Sequence, residues 1–278
     1  MRINEHSCHG ELVSLYSYDL LNDGSDDSKH LDWIEADVQI SSDNKGFIIS
    51  DSQGKVIFTG VTAIYEVTVD VILVKTDNGF GCFNYKTNTV IQPLYDNVHY
   101  MVEDDMSIPT YIFVKDNLMQ VYDWETGTLS DLTFEDFKPF YDGVGSVKIN
   151  GKWGVINQKG LIICEPMFDE IERLDMNFFI LDSKEIISKK GAKIISNLPD
   201  YMGIYSDTYT YIFDTRPRQF DEEAENIEWY IELYYLEDRI IFYSYTSDDK
   251  DTMLLIYNES GQVIPTPSGE IETLLGSL

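Results

Sequence analysis

Gly151-Lys-Trp-Gly-Val-Ile-Asn-Gln-Lys-Gly-Leu-Ile-Ile-Cys-Glu-Pro-Met-Phe-Asp-Glu-Ile171 is the stretch on which the reading of this chain turns. Its apolar residues come in short, β-branched runs separated by turn formers, the pattern of hairpin strands. An earlier stretch, Gly79-Phe-Gly-Cys-Phe-Asn-Tyr-Lys-Thr-Asn-Thr-Val-Ile-Gln-Pro-Leu-Tyr-Asp-Asn-Val98, aligns with it without a gap. Gly81 falls on Gly154, Asn84 on Asn157, Pro93 on Pro166, Tyr95 on Phe168 and Asp96 on Asp169. Agreement at so many conformationally special positions marks an internal repeat.

Weaker copies extend the register. They begin at Phe47, Gln120, Glu185 and Leu254, with a degenerate copy around Tyr211. The positions equivalent to Gly154 are then 47, 81, 120, 154, 185, about 211 and 254. Each unit opens on a strand carrying Val-Lys (Val74-Lys75, Val114-Lys115, Val147-Lys148). A tight turn follows at Asn78-Gly79, Asp116-Asn117 or Asn150-Gly151, residues that tolerate the positive φ of type I′ hairpins. After the second strand comes a turn that ends in glycine at Gly54, Gly127, Gly160 or Gly261, where an αL residue is needed. A third strand is expected to stop at Pro93 or Pro166, because proline donates nothing to a ladder. An aromatic residue and Asp then lead into a short apolar segment. The segment Phe220–Leu233 is helix-permissive at its start and β-like at its end, and reads as an insertion or an irregular unit.

Lys152-Trp-Gly-Val-Ile-Asn-Gln-Lys-Gly160, followed by Pro166-Met-Phe-Asp-Glu-Ile171, resembles the bacterial WG-repeat family. The likeness is strongest over residues 147–171 and good over 71–98. Only Trp153-Gly154 preserves the naming pair, with Phe80-Gly81 the nearest substitute. Membership implies a repeat architecture and a binding role, and it brings no catalytic residues with it. The residues that define the repeat are Gly81, Pro93, Asp96, Trp153, Gly154, Gly160, Pro166 and Asp169.

The expected fold is all-β, built of about seven short antiparallel hairpin units in one domain spanning residues 1–278. No unit can bury its apolar face alone, so neighbours must stack. Roughly 40 residues per unit suits a propeller blade, and a closed propeller-like ring is favoured over an open β-solenoid. Residues 44–278 carry the repeats. Residues 1–43 hold a strand within Glu11–Leu20 that is expected to close the ring beside Thr252–Tyr257.

Composition narrows function. With 49 acidic against 20 basic residues the formal charge is −29, which repels nucleic acid and anionic membrane and favours basic partners. Three scattered cysteines (Cys8, Cys82, Cys164) make no disulfide framework. No stretch has the length of a membrane helix, and the N-terminus lacks the apolar run of a signal peptide, so a cytoplasmic protein is expected. His6-Ser-Cys-His9 lacks the wider, paired spacing of zinc ligands. His30 and His99 have no partner at a catalytic spacing. Neither Asn22–Asp27 nor Asp248–Asp251 follows a calcium-loop pattern. No metal, cofactor or catalytic residue is therefore assigned. The candidate partner-binding residues are Glu103, Asp104, Asp105, Asp221, Glu222, Glu223 and Trp229, where carboxylates lie near aromatic anchors. The expected role is non-catalytic protein binding, in a specific form an immunity-type protein that neutralises a basic bacterial toxin. A carbohydrate-binding or glycosidase-like propeller is the alternative.

Overall fold

The computed structural model describes residues 16–17, 38–43, 45–68, 70–101, 110–174, 177–196, 204–207, 210–213, 229–236, 239–246, 252–258 and 260–265. Every regular element among them is a β-strand, and every described strand pairing is antiparallel. The chain divides into two compact units, residues 5–166 and residues 167–278.

In the first unit, β1 (Tyr16–Ser17), β2 (Val38–Asp43), β3 (Gly46–Asp51), β4 (Val56–Thr68), β5 (Val71–Thr76), β6 (Gly79–Asn84) and β7 (Thr89–Tyr95) form one sheet in the order β2-β3-β4-β5-β6-β7, with β1 also on β4. β8 (Asn97–Met101), β9 (Thr110–Lys115), β10 (Leu118–Asp123) and β11 (Thr128–Leu129) make a four-stranded meander. β12 (Asp136–Phe137), β13 (Val144–Ile149), β14 (Lys152–Asn157) and β15 (Ile162–Phe168) make another. In the second unit, β16 (Ile171–Arg173), β17 (Phe178–Leu181), β18 (Glu185–Ser188) and β19 (Lys193–Ile195) repeat the pattern. The last sheet, β20 (Ile204–Asp207), β21 (Thr210–Phe213), β22 (Trp229–Leu236), β23 (Arg239–Thr246) and β24 (Thr252–Asn258), has five strands in chain order.

Burial explains why single sheets do not stand alone. In the first unit, β9 turns Tyr111 and Phe113 towards Leu73, Cys82 and Phe80 of the preceding sheet. The intervening Ile112 goes the other way, to Phe134, which bridges to Met119 of β10, and to Val147 and Ile156 of the following sheet. Period-two alternation thus buries both faces of this sheet. Within this unit, neighbouring sheets stack face to face.

Several local expectations change. The short apolar segment after each Asp does not finish its unit. It forms β8, β12 or β16, the first strand of the next sheet. The strand boundary is therefore one element out of phase with the sequence repeat. β4 runs 13 residues, from the third strand of one copy into the first strand of the next. It runs on through Gly60 and Ala63, where other copies break at Asp96 and Asp169, so two copies fuse into one sheet. Pro93 and Pro166 lie inside β7 and β15 rather than ending them. The ladder between β6 and β7 skips at this point, with Phe80 opposite Tyr95 but Cys82 opposite Ile91. A bulge of that kind leaves a residue unpaired, which suits a proline. Tyr16 and Ser17 lie opposite Ile64 and Ala63 on β4. Of the Phe220–Leu233 segment, the residues from Trp229 are strand, and those before it lie outside the described residues.

Candidate functional site

Three structural devices recur in the units. The first is the opening hairpin turn. Asp116-Asn117 (φ 52° and 63°) and Asn150-Gly151 (φ 51° and 76°) have positive φ at both central residues, as a type I′ turn requires. The β5–β6 turn differs from expectation. Thr76 pairs with Gly79, so the turn residues are Asp77-Asn78, and the positive φ falls on Gly79 at 130°. The second unit supplies a turn that the sequence pattern missed, Asp182-Ser183 at φ 48° and 55°, which has no glycine to announce it.

The second device caps the later turn. Asn157 Oδ1 accepts hydrogen bonds from the backbone N–H groups of Lys159 (3.0 Å) and Leu161 (2.9 Å). Asp51 does the same for Gln53 and Lys55, Asn258 for Ser260 and Gln262, and the Ser188 hydroxyl for Lys190 and Ala192. Asn84 and Asp123 cap loops one residue longer. Each cap is followed by an αL residue: Gly54, Asn88, Gly127, Gly160, Gly191 or Gly261. This cap corrects the register of the outer copies. Ile48 and Leu255, not Phe47 and Leu254, stand where Gly154 does. Within the first unit the capped turns also join successive sheets. Asn84 Nδ2 donates to the Trp124 carbonyl at 2.8 Å. Lys159 pairs with Glu125. A Cβ on Gly160 would fall 2.3 Å from the Ser130 Cβ, so that loop lies directly on the preceding one.

The third device is the glycine of the Trp-Gly pair. A Cβ on Gly154 would lie 2.7 Å from the Cys164 carbonyl oxygen and 2.8 Å from the Pro166 nitrogen. On Gly81 it would lie 2.6 Å from the Ile91 oxygen and 2.7 Å from the Pro93 nitrogen. The two copies therefore share one shape: the backbone beside the proline presses onto a residue with no side chain. The preceding aromatic is half-buried or buried, and it lies across the ladder from the lysine of Val-Lys. Lys148 sits over Trp153 at 5.7 Å and Lys75 over Phe80 at 5.2 Å. Asp96 accepts a hydrogen bond from the Asp116 N–H at 2.8 Å, tying one sheet's end to the next sheet's hairpin. Asp169 follows β15 and is exposed.

Between two sheets of the first unit lies a buried polar group. Burial pushes the Cys82 thiol up to about 12, so it stays protonated and unreactive. Burial, then the neighbouring Cys82, also raises the Tyr122 phenol. The Tyr122 hydroxyl lies near Cys82 and Asn84 without the geometry of a hydrogen bond.

Of the candidate partner-binding residues, Glu103, Asp104, Asp105, Asp221, Glu222 and Glu223 lie outside the described residues. Trp229 heads β22, opposite Phe213 and Thr246. His99 meets Phe137 edge to face, with ring centroids 5.2 Å apart. Among the described residues no group of three or more His, Cys, Asp and Glu is placed to hold a metal ion. No helix there is long and apolar enough to cross a membrane.

These devices define an antiparallel β-repeat protein. A family model described as WG containing repeat matches residues 80–117, 128–153 and 153–180, so residues 80–180 carry WG repeats. A comparison with curated proteins finds no match. Among solved structures, the N-terminal domain of Nup159 is 10% identical, with a TM-score of 0.25 over 82% of this chain and 85% of that one. A quinonprotein alcohol dehydrogenase-like protein from Bacteroides thetaiotaomicron is 11% identical, with a TM-score of 0.19 over 82% of this chain and 64% of that one. At these scores neither carries an argument about fold or function.

Proposed function

We propose that this chain is a non-catalytic protein-binding module whose acidic surface captures a basic partner. In its specific form it is a cytoplasmic, immunity-type bacterial protein that masks a basic toxin domain. The observation that carries the reading is the charge of −29 on a scaffold whose repeated parts serve its own packing. The recurrent Asn, Asp and Gly residues cap turns and admit close backbone approach, which leaves the excess carboxylates for something else. A strong negative field speeds encounter with a cationic protein and rejects acidic ones. The same proposal keeps closure of the units into a ring, with the open solenoid as alternative; small-angle scattering separates a disc from a rod. The test of function is a pull-down with the products of neighbouring genes at moderate salt. Capture of a basic protein is the expected result. If no basic protein is captured and the chain instead retains oligosaccharides, the carbohydrate-binding alternative replaces this one.

A further inference from the structure

We draw no further inference here: the strongest candidate, the surface patch of exposed apolar side chains on and beside β15 formed by Leu161, Ile162 and Met167, carries nothing because nothing in the structure shows what covers it.

Discussion

Gly154 is the residue on which a unit closes. The backbone beside Pro166 occupies the space where a side chain would begin, and Gly81 stands in the same relation to Pro93. Gly154→Ala and Gly81→Ala should each cost about 3 kcal/mol, since neither backbone segment can yield without breaking its ladder. Gly151 is the internal control. It has a positive φ of 76° but nothing within 4 Å of a Cβ, so Gly151→Ala should cost only about 1 kcal/mol, the ordinary αL penalty. Urea denaturation of the three variants checks the contrast.

Tyr122 and Cys82 give the second residue-level test. Tyr122→Phe removes a buried hydroxyl that lacks a hydrogen bond, and should be neutral or stabilising by about 1 kcal/mol. Because burial raises the Cys82 thiol from 9.0 to about 12, the folded chain holds this proton where the unfolded chain loses it. The stability it contributes is complete below pH 9 and declines as pH rises towards 12. Unfolding midpoints between pH 8 and pH 10.5 should fall with pH, and Cys82→Ala should flatten the slope.

At the scale of elements, the turn caps hold each unit in register. Asn84 is fully buried and makes three hydrogen bonds, two to its own turn and one to Trp124 of the next sheet. Asn84→Ala should cost about 3 kcal/mol, and the same change at the more exposed Asn258 about 1 kcal/mol, by thermal or chemical unfolding. The sequence showed these elements unevenly. Asn-Gly at 150–151 and the glycines at 127 and 160 advertise their turns, because few other residues adopt those backbone angles. Asp182-Ser183 adopts the same angles with no glycine, so nothing in the sequence marked it. Local pattern also says where a strand bends and not which neighbour it pairs with. That is why Pro93 and Pro166 read as strand ends when Pro93 sits at a bulge and Pro166 lies inside β15, and why the segment after Asp96 was assigned to the wrong sheet. The continuous β4 escaped notice for the same reason: Gly60-Val61 looks like a turn until its pairing with Phe47 and Thr76 is seen. The acidic candidates Glu103, Asp104, Asp105, Asp221, Glu222 and Glu223 fall outside the described residues. Their grouping in sequence came from carboxylates lying near aromatics, which fixes no geometry.

At the scale of the whole molecule, scaffold and surface are separate. Within the first unit, sheets bury each other's faces through Phe113 and Phe134. What distinguishes the chain as a whole is an excess of 29 negative charges. Binding driven by such a field must weaken as salt screens it over a shrinking Debye length. The measurement that bears most directly on this is the affinity for the proposed basic partner at about 50 mM and about 500 mM salt. The account predicts a partner of high isoelectric point, with affinity that drops by about tenfold or more across that range. A neutral or acidic partner, or an affinity indifferent to salt, contradicts it.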